Sequence, residues 1–461
     1  MNTTSPSAAI ITFDRLAPSH APALRAFVLS IMVLTGSWCA AEDVRLDVND
    51  VSFLWPVPVT VEQADALISL KDLAADGDLV SDTVFNQLMA EAKKVQVKDK
   101  KIGFAVGVAD NKSAWKVAGI RINPSAFGSN PDVLAKTGEA PSLRLIVQPV
   151  TTAGGKVKLH DTAAHVVFSY LKGFDGQKAI PDKDAFSSMV NDLLQLKSEL
   201  KAAGVETSGM KLVDHPGFGN PDLHLTDKLR ALLKKHTHSQ RLSVVSFMGV
   251  PVAFEPWLFF AVVVKKDGGI VSLEDRPVNG HFAQPATSQM MDFRAGGEIV
   301  PMSVRDPQAT DKSFGISTAL LFGDSVDLEE TLLPGMTQEP FASWKMKDVP
   351  DLIANPTLIF NTASMDCASC HSETTRRLNV PGLNKPSKFQ YQLPLGISGV
   401  DESMLHEDTW NVRNFGWGFN FTTNPGFHPT VTQRAANEAA DSANFINKNY
   451  LPAPDASAGS K

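Results

Sequence analysis

Apolar and polar positions over residues 42–350 follow two periods, one typical of helices and one typical of strands. Apolar residues at helical spacing predict an amphipathic helix over 185–200, and Gly204 supplies its stop. Thr60 and Gln63 form a capping-box pattern that predicts a helix from there through residue 70. The remaining predicted elements are helices over 83–93 and 223–233 and extended segments over 51–58, 101–108, 114–122, 143–150, 242–248 and 257–265. We expect the strands to pair as an antiparallel or mixed sheet.

The pattern changes near residue 350. A proline-rich polar stretch over 333–355 predicts a linker, and about one hundred residues follow it, the usual size of a small domain. Within them, 430–449 has helical periodicity, with a stripe of Val431, Ala435, Ala439, Ala443 and Ile446. The composition of 452–461 predicts a disordered tail. The sequence therefore predicts an α+β domain of unknown function over 42–350 and a small, mainly α domain over 351–451.

The N-terminal segment has the layout of a secretory signal. Arg25 precedes the apolar run 26–35, and small residues through Ala41 precede the first acidic residues. The run is too short to cross a bilayer, which takes roughly 20 apolar residues. We expect 1–41 to be removed as a signal peptide, which predicts a periplasmic or secreted bacterial protein without an integral membrane span. A buried N-terminal helix is the alternative, and the residues before Cys39 do not fit a lipid anchor.

Composition narrows the possible functions. The 461 residues are 43% hydrophobic and 20% charged, which is typical of a globular protein and excludes a disordered or fibrous one. The net charge of -7 provides no basic excess for phosphate groups, so nucleic acid is not an expected partner.

One motif carries specific chemistry. Residues 367–371 read Cys-Ala-Ser-Cys-His, the CxxCH pattern of haem c attachment. The pattern predicts thioether bonds from Cys367 and Cys370 to one covalent haem c, with His371 as an axial iron ligand. A zinc site would need more ligands than this pair, a thioredoxin-type pair would not need His371, and a disulfide across two residues would be strained.

The second axial ligand is open. Met404 is the single methionine after His371 and is the first candidate. His428 and His406 compete with it, and an iron without a second protein ligand is the remaining option. Candidate aromatic walls for the haem are Trp410, Phe415, Trp417, Phe419, Phe421 and Phe427. Candidate partners for its propionates are Arg376, Arg377, Lys385 and Arg413.

Residues 367–371 and the closing helix from Thr430 resemble mono-haem c-type cytochromes over the last quarter of the chain. The resemblance implies a cytochrome c-like C-terminal fold, thioether bonds at Cys367 and Cys370, His371 as the proximal ligand and Met404 as the distal one. The N-terminal part resembles uncharacterised secreted bacterial proteins that end in one haem motif, which implies no activity.

Three functions follow as hypotheses. The first is an exported electron-transfer protein with a redox partner protein. The second is a haem-dependent enzyme, peroxidase-like or an oxidoreductase, with an open or exchangeable sixth iron site. The third is a binding module in which haem is structural. The pairs His236 with His238 and His160 with His165 are predicted to be ordinary histidines without a metal role.

Overall fold

Strands of this chain pair into one large antiparallel sheet, as seen in a computed structural model of the protein. The structure describes residues 44–94, 109–125, 129, 131–176, 178–249, 257–272, 289–292, 298–301, 349–355, 367–379, 392–393, 396–397, 401–406, 411–421 and 425–452. The predicted signal 1–41 with Cys39, the predicted strand 101–108 and residues 453–461 of the predicted tail lie outside them, as does most of the predicted linker.

The main sheet has ten strands in the order β1-β4-β5-β7-β10-β11-β13-β14, with β6 beside β5 and β12 beside β11. Three further two-stranded pairs are β2 with β3, β8 with β9, and β15 with β16, and β17 with β18 forms a C-terminal hairpin. The strands are β1 (Ser52–Leu54), β2 (Leu73–Ala74), β3 (Gly77–Asp78), β4 (Trp115–Asn123), β5 (Ser142–Ala153), β6 (Lys156–Leu159), β7 (Thr162–Ser169), β8 (Leu171–Asp175), β9 (Lys178–Pro181), β10 (Leu242–Gly249), β11 (Trp257–Val264), β12 (Ile270–Ser272), β13 (Gln289–Asp292), β14 (Glu298–Pro301), β15 (Gln392–Leu393), β16 (Gly396–Ile397), β17 (Phe415–Asn420) and β18 (Gly426–Val431).

Helices of very different length accompany the sheet. They are α1 (Val48–Val51), α2 (Val61–Ala66), α3 (Asp82–Lys94), α4 (Pro131–Thr137), α5 (Lys183–Ala202), α6 (Leu225–His236), α7 (Val349–Ala354), α8 (Cys367–His371), α9 (Glu373–Asn379) and α10 (Gln433–Asn449). The predicted capping box of α2 is confirmed, because Thr60 accepts from the Gln63 amide and Gln63 accepts from the Thr60 amide. Gly204 has φ 83°, which fits its predicted role at the end of α5.

Three predicted boundaries are wrong, two because of strand pairing and one because a short helix precedes the strand. The helix after Thr60 ends at Ala66 rather than at residue 70, since Ser69 forms a β-bridge with Lys116 of β4. The extended segment predicted from residue 51 begins one residue later, because α1 has its own capping box at Asp47. The final helix begins at Gln433 rather than at residue 430, since the preceding residues pair in β18 and Thr432 caps the helix.

The two faces of the main sheet differ in chemistry. Successive residues of a strand point to opposite faces, and directly paired residues share one. One face carries the apolar side chains of the core, among them Leu145 and Phe168, which are fully buried. On the other face, Arg121 of β4 is paired with Arg144 of β5, and Arg144 is paired with Val167 of β7. His165 lies two residues before Val167 on β7 and therefore points to the same face. We call this second side the polar face of the sheet.

Segments from the C-terminal part pack on the polar face. The amide side chain of Gln148 in β5 accepts a hydrogen bond from the Trp417 backbone N–H at 2.7 Å and donates one to the Trp417 carbonyl at 2.9 Å. The Trp417 indole donates to the Trp55 carbonyl at 2.8 Å. All three side chains are buried, so the hairpin β17–β18 is fixed on the sheet by bonds that have no competition from water.

The closing helix α10 is fixed at both ends. Its predicted stripe is buried and belongs to the same continuous core as the strands. Near its C-terminus, the Asn447 amide accepts from the Leu46 N–H at 2.9 Å and donates to the Leu46 carbonyl at 2.8 Å. The described residues from 44 onward form one compact unit. That 42–350 and 351–451 fold as separate domains stays a prediction.

Gly119 is required where the hairpin meets the sheet. A Cβ atom there would lie 2.4 Å from a ring carbon of Phe415 and 3.1 Å from the Phe53 carbonyl oxygen. We expect Gly119→Ala to lower the free energy of unfolding by about 1–3 kcal/mol through overpacking, measured by urea denaturation. Gly173→Ala is the control, because no atom lies within 4 Å of its Cβ position. Equal stabilities of the two variants would contradict this packing.

The buried imidazole of His215 makes the stability of the protein depend on pH. Burial lowers its pKa to about 4, below the unfolded value of about 6.5. The unfolded chain therefore binds the proton first, and we expect stability to be complete above pH 6.5 and to fall by about 3 kcal/mol as the pH drops to 4. His215→Asn preserves an acceptor for the Gly217 N–H and should flatten this slope in denaturation curves. The exposed His224, replaced by Asn, is the control, and an identical slope in both variants would refute the assignment.

Candidate functional site

The CxxCH motif forms the one-turn helix α8 (Cys367–His371). Cys367 and Cys370 lie three residues apart, so both sulfurs fall on the same side of the turn. Both are half-buried thiols and no disulfide joins them. The next helix, α9, is held by the buried Arg377, whose guanidinium binds Glu373 at 2.7 Å and Asp351 of α7 at 2.8 Å. The motif is therefore attached to a buried, charge-compensated support.

His371 has a fixed orientation. Its Nδ1 lies 3.0 Å from the Val412 carbonyl oxygen, so Nδ1 carries the proton and donates it to that oxygen. Burial lowers the pKa of His371 to about 4, which makes the ring neutral at physiological pH. The lone pair is then on Nε2. A neutral imidazole with Nδ1–H bound to a backbone carbonyl is the usual state of a metal-ligating histidine.

Two rings from the polar face of the sheet contact His371. The Phe259 ring of β11 lies 5.5 Å from it between centroids, and the His165 ring of β7 lies 6.0 Å from it. His165 is held in the middle of the sheet, opposite Ile146 on one side and Ser246 on the other. Burial lowers the pKa of His165 well below its ordinary value, so this ring is also neutral. The motif thus faces a second imidazole.

Four arginines surround this place, and we call them the buried arginine cluster. They are Arg121, Arg144, Arg413 and Arg434. The Arg121 and Arg434 guanidiniums bind the Glu438 carboxylate at 2.9 and 2.6 Å. Arg413 binds Asp161 at 2.7 Å and lies over the Trp257 ring at 5.8 Å. Burial alone would raise the Glu438 pKa, but the arginines lower it to about 2, so Glu438 is ionised.

Three of these arginines hold more hydrogen-bond donors than their described partners use. Buried N–H groups at Arg121 Nε, Arg144 Nε, Arg413 Nε and Arg413 Nη1 have no hydrogen-bond acceptor within the described residues. Buried donors of this kind normally have acceptors, so the arrangement favours an anionic group at the cluster.

Cys370, His371, His165 and Arg144 share an unusual environment. Each keeps part of its surface exposed, yet burial is the main cause of each pKa shift, and it raises that of Cys370 to about 11. The charges of Arg144 and His371 act on His165, and the charge of Arg144 acts on Cys370, so the four residues are neighbours between the motif and the polar face.

The three predicted candidates for the second ligand lie in different places. Met404 ends a short 3-10 turn, Glu402–Met404, and is buried in the core, 7% exposed. His406 is buried two residues further on, and His428 is half-buried on β18, opposite Gly418. Whether any of them approaches iron stays a prediction.

The predicted aromatic walls and propionate partners also lie in different places. Phe415 and Trp417 are core residues, whereas Phe419 contacts Phe421 and Phe427 in a separate aromatic group at 4.7 and 5.1 Å. Trp410 and Lys385 lie outside the described residues. Arg377 is already compensated by two carboxylates, and the side chain of Arg376 lies outside the described ones. Arg413 is a predicted arginine that lies at the site.

Sequence reasoning missed Arg121, Arg144 and Glu438 and treated His165 as ordinary. The signal was present as single polar residues inside strands that are otherwise apolar, such as Arg144 between Leu143 and Leu145. A charge within a fully buried strand costs free energy unless it has a partner, and this pattern therefore indicates a buried site.

Comparison with known protein families, characterised proteins and solved structures finds no match. No helix within the described ranges has the length and apolar character needed to cross a bilayer. In the same part of the chain, no group of three or more His, Cys, Asp or Glu side chains could hold a metal ion. An axial pair on a porphyrin needs only two protein ligands and would not form such a group.

The Arg413–Asp161 pair provides a test of the buried charge. The Arg413 side chain is 1% exposed, so Asp161→Asn would leave its charge poorly compensated. We expect a loss of about 3–5 kcal/mol in the free energy of unfolding, measured by denaturant titration. Asp175→Asn at the exposed end of β8 is the matched control and should change stability by about 0.5 kcal/mol or less. Similar losses in both variants would rule out a buried charge at Arg413.

Proposed function

We propose that this chain binds one haem c covalently and transfers electrons to a redox partner protein outside the cytoplasm. Cys367 and Cys370 would hold the porphyrin through thioether bonds, and His371 would ligate the iron. The observation that carries the proposal is that one helical turn presents both thiols and a neutral imidazole whose Nδ1–H is bound by the Val412 carbonyl. When bound, the haem supplies reversible one-electron exchange.

Other residues of the chain have defined tasks in this proposal. The orphan N–H groups of Arg144 and Arg413 suit the two propionate carboxylates that every haem carries, since guanidinium binds carboxylate through paired hydrogen bonds. Phe259 and Trp257 line the sheet beside His371 and Arg413 and exclude water. Val412 fixes the tautomer of His371 and so directs Nε2 toward the metal.

The properties of Cys370 weigh against a thiol redox pair. Reactive cysteines have lowered pKa values, because the thiolate is the nucleophile. Burial instead raises the pKa of Cys370 to about 11, which keeps it protonated at neutral pH. Two sulfurs and one histidine also fall short of the four ligands of a structural zinc site.

Export and the redox partner belong to the same proposal. The signal-like segment 1–41 and the motif at 367–371 come from separate stretches of chain and agree, since haem c is attached outside the bacterial cytoplasm. Electron transfer then requires a second redox protein.

A haem-dependent enzyme is the second candidate, and the buried arginine cluster favours it. Cations beside an iron could hold a small anionic substrate as well as propionates. The two candidates differ in ligand binding: an electron carrier has six-coordinate iron that does not bind carbon monoxide or cyanide, whereas an enzyme with an exchangeable site binds them. Visible spectra with and without these ligands separate the two.

The covalent haem is tested by expression in a bacterium that matures haem c in its periplasm. We expect the denatured protein to retain peroxidase-active haem staining on a gel and the added mass of one porphyrin. Replacing Cys367 and Cys370 together by Ala should abolish both signals. Cys39→Ser is the matched control and should leave them unchanged. A wild-type chain that is exported but has neither signal would overturn the proposed function.

A further inference from the structure

We propose that His165 is the second axial ligand of the iron, opposite His371. This inference rests on the proposed haem c and replaces Met404, the first candidate of the sequence, with a residue from the sheet. The site would then be bis-histidine, with one ligand from the attachment motif and the other from a strand 206 residues earlier in the chain.

The spacing of the two rings fits a shared metal. A metal–imidazole bond is about 2 Å long. When two such bonds lie in line, the two bonds and the distance from each nitrogen to the centre of its ring separate the ring centroids by about 6 Å. The His165 and His371 centroids are 6.0 Å apart, and the ring planes are inclined by 43°. Stacked rings such as Phe247 and Phe260, at 4.8 Å and 6°, are closer and parallel, whereas the tilted rings of Phe445 and Tyr450, at 6.4 Å and 47°, are in contact at a spacing like that of the two histidines. The distance is therefore compatible with a shared metal, and the ring nitrogens distinguish His165 from an ordinary aromatic neighbour.

His165 is also held rigidly enough to be a ligand. It lies in β7, which is paired on both sides, with β5 and with β10. Its side chain projects from the polar face, where Phe259 of β11 also contacts His371 and Arg144 of β5 is a near neighbour. Of the rings in contact with His371, Phe259 has no ligand atom, whereas His165 has two nitrogens.

Two of the competing residues, Met404 and His428, lie in described elements that position them without iron. Met404 packs in the apolar core, and its turn contacts β18. His428 belongs to β18 itself, and its carbonyl accepts from the Thr430 hydroxyl. The identity of the second ligand affects the haem reduction potential, because methionine ligation raises it. We therefore expect a lower potential than that of a histidine–methionine cytochrome.

The decisive measurement is spectroscopic and needs no activity assay. The purified haem protein should show low-spin iron with the EPR and near-infrared signature of two imidazoles and without a methionine-to-iron band. His165→Ala should retain covalent haem, lose the low-spin signature, become high-spin and bind carbon monoxide. Added imidazole should restore the wild-type spectrum of this variant. His165→Met provides a second variant of similar bulk, and it should lose the bis-imidazole signature.

The comparison variants separate the possible ligands. His160→Ala, a half-buried histidine bound to Thr151 just before β7, is the control and should preserve the wild-type spectrum. Met404→Ala, His406→Ala and His428→Ala should preserve it as well. A wild-type methionine-to-iron band, or a low-spin signature that survives in His165→Ala and disappears in one of these three, would overturn the role of His165 while leaving the covalent haem intact. Absence of the porphyrin mass would instead overturn the proposed function, and this inference with it.

Discussion

Charge buried without water must be balanced, and this constraint governs the arrangement of the chain. Arg121 and Arg144 project from the middle of a sheet that is covered on that face. A guanidinium in such a place is stable only with carboxylates or other acceptors around it. Glu438 comes from the last helix and Asp161 precedes β7, so the compensation depends on segments far apart in sequence. The position of α10 is therefore set by electrostatics as well as by its small apolar residues.

The same constraint connects the fold to the proposed function. Donors that have no acceptor among the described residues lie beside the motif, and the motif is the part of the chain with specific attachment chemistry. An anionic, flat and mostly apolar cofactor would satisfy both the arginines and the aromatic residues. The haem-dependent enzyme would contain the same cofactor, so this fit supports haem in both candidates, and ligand binding at the iron separates them.

Local pattern allowed much of the secondary structure to be predicted. The helices α3, α5 and α6 and the strands β4, β5, β10 and β11 lie where periodicity placed them, because each has enough residues for its period to be recognised. The ends of α2 and α10 were predicted wrongly, since pairing with other strands decided them. The hydrogen bonds between Gln148 and Trp417 could not be predicted, and neither could the position of His165 beside His371. Both depend on the order of the strands in the sheet, which no local period specifies.

The contact between Asn447 and Leu46 joins the last helix to the first described residues, and it determines the sequence in which the structure can be completed. Every residue from 46 to 447 must be synthesised before this contact can form. Folding therefore involves contacts of very high sequence separation, which are slow to form. During synthesis, the strands of the described sheet would be complete before the last segments that cover its polar face. A chain interrupted before α10 would leave the arginines hydrated, so the covering of the polar face is a late step in folding.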